Sequence, residues 1–276
     1  MKLTFKQSSF KLSIIFFVFF LSLQSAICSI SICSWNVKDF GSSKSDLEID
    51  FIASTVQTYD IIAIQEVVAK SGGAQAVARL IDFLNRKGQS WDYTISNPTS
   101  SSNAYMIERY AFIWNKKTVT KVGDAWLDKF YAVDIDREPF FATFRKEGKE
   151  FTVVNFHAIP KSKDPETEIK YFKSYPSLYP SLNLVFCGDF NCPQSNTVFT
   201  PLKKIGFKSA FIGLKTTLRM KCIDNDCLAS EFDNFYYDPK KTLLLKSGVV
   251  LFYQNFSTLE DAKQISDHLP IFLVFE

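Results

Sequence analysis

Val185-Phe-Cys-Gly-Asp-Phe-Asn191 decides how this chain is read. An apolar strand over 182–186 runs into a glycine, and an acid and an amide follow two residues apart. In an extended chain such a pair faces one side, so Asp189 and Asn191 address a single cleft. Alone, Gly-Asp-Phe-Asn is also an ordinary turn. It gains weight because other apolar runs end the same way. Asn36 closes Ile30–Val37 within Ser34-Trp-Asn-Val-Lys-Asp39, and Glu66 closes a run beginning at Asp60, within Ile61-Ile-Ala-Ile-Gln-Glu66. His157 closes Phe151–Phe156, while Asp267 and His268 stand in Ser266-Asp-His-Leu-Pro270, at the mouth of Ile271–Phe275. Ligands of sheet proteins gather at strand ends, so hard oxygen donors and two imidazoles are expected at one edge of the core.

Further strands are expected at Arg109–Trp114, Phe140–Arg145, Gly248–Tyr253 and Pro270–Phe275. Between them lie helical patterns. Ser45 and Glu48 form a capping box ahead of a helix presenting Leu47, Phe51, Ile52 and Val56. Val77, Leu80, Ile81 and Leu84 repeat at helical spacing, with Gly88 as the stop. Strands mixed with helices give an α/β protein with sheet at its centre and helices outside. Asn97-Pro-Thr-Ser-Ser-Ser-Asn103 reads as a surface loop, and the 28 phenylalanines as core packing.

Residues 1–28 read as an export signal: Lys2, Lys6 and Lys11, then the apolar stretch Leu12–Leu23, too short for a comfortable membrane span, then Ser25 and Ala26. A lipid anchor at Cys28 is disfavoured by Ile27, a poor fit before such a cysteine. Cleavage leaves 29–276, about 248 residues, as one domain, secreted or periplasmic, with no low-complexity linker to divide it. The chain carries a net charge of +3, and the three lysines of the signal account for it. Attraction to a polyanion must therefore be local rather than global. Export permits disulfides. Cys222 and Cys227 are close in sequence and Cys192 could reach either, whereas Cys33 and Cys187 sit in apolar runs as buried thiols. Spacing leaves the connectivity open.

The chain has only two histidines, His157 and His268. Two imidazoles give one reaction a proton acceptor and a proton donor near neutral pH. Carboxylates and carboxamides around them suit Mg²⁺ or Ca²⁺ better than zinc.

The ordered signatures Asn36, Gln65-Glu66, His157, Gly188-Asp-Phe-Asn191 and Ser266-Asp-His268 resemble the deoxyribonuclease I branch of the endonuclease/exonuclease/phosphatase superfamily. Glu108-Arg-Tyr-Ala-Phe112 and Arg137-Glu-Pro139 favour that branch. The resemblance implies a four-layer sandwich of two packed β-sheets flanked by helices, and metal-dependent phosphodiester cleavage. It places the catalytic metal on Glu66, with Asn36, Asp189, Asn191 and Asp267 completing metal and phosphate contacts. His157 and His268 would share the acid and base roles, oriented by Glu108 and Asp233 respectively, while Arg137 and Lys38 address the phosphate. The implied cofactor is Mg²⁺, with Mn²⁺ as a substitute and Ca²⁺ as a further ion. The implied substrate is double-stranded DNA, cut by a monomer that needs no protein partner.

The chain departs from the family's pattern at three places. Lys38 stands where arginine is common, which turns a forked phosphate contact into a point charge. Val68 replaces an arginine that enters the DNA minor groove, and Asn234 replaces a basic residue after the aspartate. These changes leave the chemistry and question the substrate, so a sphingomyelinase-like or small-molecule phosphodiesterase is the alternative. That alternative calls for an exposed apolar hairpin, for which Phe130-Tyr131 is a weak candidate. A binding protein on this fold would have no need of two acid-backed imidazoles.

Overall fold

The computed structural model describes residues 29–70, 72–101, 103 and 106–276. The expected signal, 1–28, lies outside the described residues. Strands β1 (Ile30–Phe40), β2 (Ile61–Val68), β3 (Trp91–Ile95) and β4 (Glu108–Asn115) belong to one sheet. Strands β5 (Thr120–Leu127), β6 (Phe140–Lys146), β7 (Lys149–His157), β8 (Leu184–Asp189) and β9 (Lys208–Ser209) belong to another. The hairpin β10 (Leu218–Ile223) and β11 (Asp226–Leu228) stands apart. β12 (Asp233–Tyr237) returns to the second sheet; β13 (Leu244–Val249) and β14 (Ile271–Phe275) complete the first. The sheet orders are β13-β14-β1-β2-β4-β3 and β5-β6-β7-β8-β12-β9.

Between the sheets lies an apolar layer containing Ile32, Ala63, Phe112 and Leu273 from one side and Phe140, Val153, Val185 and Phe235 from the other. Helices α1 (Asp46–Val56) and α2 (Gly73–Arg86) cover the first sheet through Ile52, Val77, Leu80 and Leu84. Short helical turns carrying Phe172, Tyr175 and Leu202 cover the second. The four-layer sandwich is thus the observed fold.

Two parallel pairs, β1–β2 and β7–β8, set the geometry. A parallel pair needs a crossover, supplied here by α1 and by the helical segment 161–178. It brings two C-terminal strand ends side by side, and antiparallel neighbours bring their N-terminal ends to the same edge. His157 and Asp189 end β7 and β8, Asn36 and Glu66 lie in the C-terminal halves of β1 and β2, and Glu108, Asp233 and His268 lie at or just before the starts of β4, β12 and β14. One edge therefore collects them all.

The box at Ser45 and Glu48 forms as expected, but Leu47 is 84% exposed and Ile49 is buried in its place. At about 3.6 residues per turn Leu47 points away from the face shared by Ile49, Ile52, Ala53 and Val56. The strand expected at Gly248–Tyr253 ends at Val249, and Phe252–Asn255 form a tight 3₁₀ turn that sinks Phe252 into the core. The loop 97–103 is not wholly superficial, because Thr99 and Ser101 are buried. Tyr131 packs on Tyr171 with ring centroids 4.5 Å apart, leaving Phe130 exposed beside it.

Candidate active site

Asp189 is the centre of the site. Register pairs His157 with Asp189 across β7–β8, and Asp233 with Asp189 across β12–β8, so three of the expected site residues lie in one row. The Nε2 atoms of His157 and His268 stand 3.4 and 3.6 Å from the same oxygen, Asp189 Oδ2. Asn36 Nδ2 donates to that oxygen at 3.1 Å and Asn191 Nδ2 at 3.4 Å, while the Asn191 amide donates to Oδ1 at 2.8 Å. Such an approach of β8 to β7 requires Gly188. Its φ is +131°, and a Cβ there would lie 1.9 Å from the Phe156 carbonyl oxygen.

Each imidazole has an acid behind it. His157 Nδ1 is 2.9 and 3.0 Å from the two oxygens of Glu108, and His268 Nδ1 is 2.9 Å from Asp233 Oδ2. Burial opposes charge on His268, yet Asp233 and Asp189 outweigh it and hold the imidazolium well above the ordinary histidine range. Burial and Arg137 oppose charge on His157, and Glu108 with Asp189 still raises it. Burial works against the Asp189 carboxylate, but the two imidazoles prevail and keep it below the usual carboxylate value.

Backbone contacts fix both limbs. Trp35 Nε1 donates to the His268 carbonyl at 2.8 Å. Ser266 Oγ donates to the Asn36 carbonyl at 2.6 Å and accepts the His268 amide at 3.0 Å, tying β1 to the last signature. Tyr110 Oη donates to the Arg137 carbonyl at 3.3 Å and accepts the His157 amide at 3.2 Å.

Arg137 is only 4% exposed, paired with Glu108 at 3.2 Å and donating to the Ala158 carbonyl. It borders the cleft from behind His157. Glu66 adopts φ +60° and accepts the Asp39 amide at 3.1 Å, its side chain lining the cleft. Lys38 is exposed and does not line the cleft; Asp267 is half-buried beside His268, outside the lining. Asn234 turns inward, accepting the Phe211 and Phe235 amides at 3.2 and 2.8 Å, so it has no part in the cleft. The cleft measures about 740 Å³, and Val68, Ala69, Pro98, Ile107 and Pro160 give it an apolar wall.

The donor set fits a hard divalent cation. Asn36 Oδ1 is buried without a hydrogen-bond partner among the described residues, its Nδ2 touches Asp189, and Glu66 and Asp189 line the cleft. Asp189, Asp233 and His268 also bring one ligand atom each within 4.8 Å of one another. There, however, Asp233 Oδ2 already receives His268 and the Thr216 hydroxyl at 2.7 Å, so Asn36 Oδ1 and Glu66 offer the freer oxygens, with Asp189 between them and the imidazoles as a third donor.

Sequence reading missed Thr216 and Glu168, and quoted Gln65 beside Glu66 without giving it a role. Gln65 Nε2 donates to Ser34 Oγ at 3.0 Å and to Asn155 Oδ1, knitting the sheets together beneath the site. Buried Glu168 accepts the Asp136 amide at 2.6 Å and the Ile159 amide at 2.9 Å, joining the loops beside Arg137 and His157. Among the described residues the disulfide is Cys222–Cys227; Cys33, Cys187 and Cys192 are buried free thiols.

Two packed sheets, with acid-backed imidazoles and hard oxygen donors on their shared edge, define a class of hydrolytic enzymes acting on phosphate esters. Residues 33–268 match the Endonuclease/Exonuclease/phosphatase family, and the chain belongs to it. It is 29% identical to human deoxyribonuclease gamma, over 91% of this chain and 87% of that protein. It is 28% identical to a deoxyribonuclease of Thioalkalivibrio sp., over 91% and 72%. In fold it resembles a family member from Bacteroides thetaiotaomicron with a TM-score of 0.65 at 17% identity, covering 90% of this chain and 97% of that one. A D. rerio TDP2 complexed with single-strand DNA product gives 0.63 at 14%, covering 90% and 99%.

Proposed function

We propose that the chain is a secreted, divalent-metal-dependent DNA endonuclease that hydrolyses phosphodiester bonds with His157 and His268 as its acid–base pair. The observation that carries this reading is the convergence of both Nε2 atoms on Asp189 Oδ2, each ring backed by its own carboxylate. Export is supported by the pattern of residues 1–28 and fits the Cys222–Cys227 disulfide. DNA as substrate is supported by the two deoxyribonuclease relatives.

Water attacks phosphorus, its proton passes to one imidazole, the P–O bond breaks, and the other imidazole protonates the departing oxygen. Glu108 divides its charge between His157 and Arg137, whereas among the described residues Asp233 meets no cation but His268. His268 is therefore the better proton donor and His157 the acceptor. Asn36, Glu66 and Asp189 would hold Mg²⁺ or Mn²⁺, with Asn191 and Asp267 completing the metal and phosphate contacts. A cation held there would supply Lewis-acid polarisation of the phosphoryl oxygen and offset negative charge as it develops. Arg137 shores up the same edge from behind.

The apolar cleft wall favours, as a second reading, a phosphodiester with an apolar group beside the scissile bond. Cleavage of supercoiled plasmid with Mg²⁺ and Ca²⁺, against EDTA and His157→Ala controls, separates the two. Nicking that needs both metal and His157 supports the nuclease. A folded, metal-loaded protein that leaves plasmid intact sinks it.

A further inference from the structure

Behind Asp233 sits a hydroxyl that the acid–base scheme does not yet use. Thr216 is fully buried, and its Oγ1 accepts the Phe232 amide at 3.2 Å and the Asp233 amide at 3.0 Å. Two acceptor contacts occupy both lone pairs of a hydroxyl, so only its single proton remains to be placed. Asp233 Oδ2 lies 2.7 Å away, against 3.4 Å for the Ser230 carbonyl, and takes it.

Asp233 Oδ2 also meets His268 Nδ1 at 2.9 Å. An oxygen already receiving the Thr216 proton can only accept from the ring, so Nδ1 of His268 keeps its proton whether the ring is charged or neutral, and Nε2, facing Asp189, is the atom that gives its proton up. The same residue holds His268 from the other side. The Thr216 carbonyl accepts the Leu269 amide at 2.7 Å, and Thr217 bridges to His268. Thr216 thus touches both Asp233 and the backbone following His268.

We propose that Thr216 is a positioning residue that fixes the proton location and orientation of His268 through Asp233. The proposal deepens the nuclease reading and rests on it for its kinetic consequence, while the proton arrangement can be tested without substrate.

With only two histidines in the chain, ring-¹⁵N-histidine spectra assign both rings directly. In the wild-type protein His268 is expected to show a protonated Nδ1 sheltered from exchange. Thr216→Val keeps the shape and the backbone carbonyl but removes the hydroxyl. It should shift or broaden that signal, leave His157 unchanged, and lower kcat for plasmid by about ten- to hundredfold at unaltered KM. Thr216→Ser should restore both. Thr216→Val combined with Asp233→Asn should be no slower than Asp233→Asn alone, because the two act as one unit.

A folded Thr216→Val protein with wild-type His268 signals and wild-type kcat overturns the proposal, as does an independent extra loss in the double variant. If Thr216→Val does not fold, the wild-type hydroxyl proton decides. A slowly exchanging Thr216 proton with a nuclear Overhauser contact to His268 Hδ1 supports it; a freely exchanging one overturns it. Wild-type protein that leaves DNA uncut defeats the nuclease reading instead, and the histidine spectra still decide the role of Thr216.

Discussion

Asp189 Oδ2 stands 3.4 Å from His157 Nε2 because β7 and β8 run parallel in the register that sets those two residues opposite each other. His268 reaches the same oxygen from the other sheet. Asp189→Asn keeps the shape but removes the charge that both rings share. Its kcat should fall by at least about a hundredfold, the lower range for losing acid–base function, with little change in melting temperature. An Asp189→Asn enzyme with near wild-type kcat would remove Asp189 from the centre of the site.

His157→Ala tests the acceptor directly. Truncation of a buried ring next to a carboxylate normally strands a charge, at about 3–5 kcal/mol when a buried pair is broken. Here Glu108 retains Arg137 at 3.2 Å, so the penalty should be smaller. The expected outcome is a loss of activity of about 10²–10⁴-fold, with a native circular dichroism spectrum and unchanged Mg²⁺ binding. Retained cleavage contradicts the role.

The charge around His268 predicts a pH effect. Asp233 and Asp189 overcome burial and raise its pKa, so the protonated donor persists to higher pH than an ordinary histidine would allow. Asp233→Asn removes the first of those charges and lowers that pKa. The alkaline limb of the pH–rate profile should therefore move to lower pH in the variant, while the acid limb, set by His157, stays. A limb unmoved by Asp233→Asn would show that His268 is not the donor it reports.

The four-layer fold and the gathering of polar side chains at one sheet edge were legible, while several individual strands were not. Functional residues at the ends of apolar runs announce themselves because a polar side chain terminating a buried strand is unusual, and His157, Asp189 and Asn36 all follow that rule. β12 escaped because Asp233-Asn-Phe-Tyr-Tyr237 is buried throughout and shows no alternation to read. β5 escaped for the opposite reason, being a half-exposed edge strand with a polar start. Thr216 follows no periodic pattern at all; its role comes from a contact 17 residues away in sequence. Leu47 was misplaced because it stands nine residues before Val56, about half a turn out of step with the face that Ile49, Ile52, Ala53 and Val56 bury.

Metal dependence can be tested at Glu66, whose carboxylate receives only the Asp39 amide among its described contacts and faces the cleft. EDTA should abolish cleavage. Glu66→Gln should raise the Mg²⁺ concentration needed for half-maximal rate by at least about tenfold, yet leave both histidine ring spectra in place. Equal Mg²⁺ requirements in variant and wild type would move the cation elsewhere, with the Asp189–Asp233–His268 cluster the next place to look.

Gly188 links folding to function most tightly. Its φ of +131° is a region that L side chains rarely adopt, and an added methyl would meet the Phe156 carbonyl oxygen at 1.9 Å. Neither neighbour can yield cheaply, because β7 and β8 are held by a continuous parallel ladder from Thr152–Leu184 to His157–Asp189. Gly188→Ala should therefore cost at least about 3 kcal/mol, combining backbone strain with overpacking, and should be visible as a lowered midpoint in urea. Any fraction that folds must part the two strand ends, so its kcat should fall further than its KM rises. A variant with wild-type stability and kcat would mean that β7 and β8 are not in this register, and that His157 and Asp189 are not neighbours.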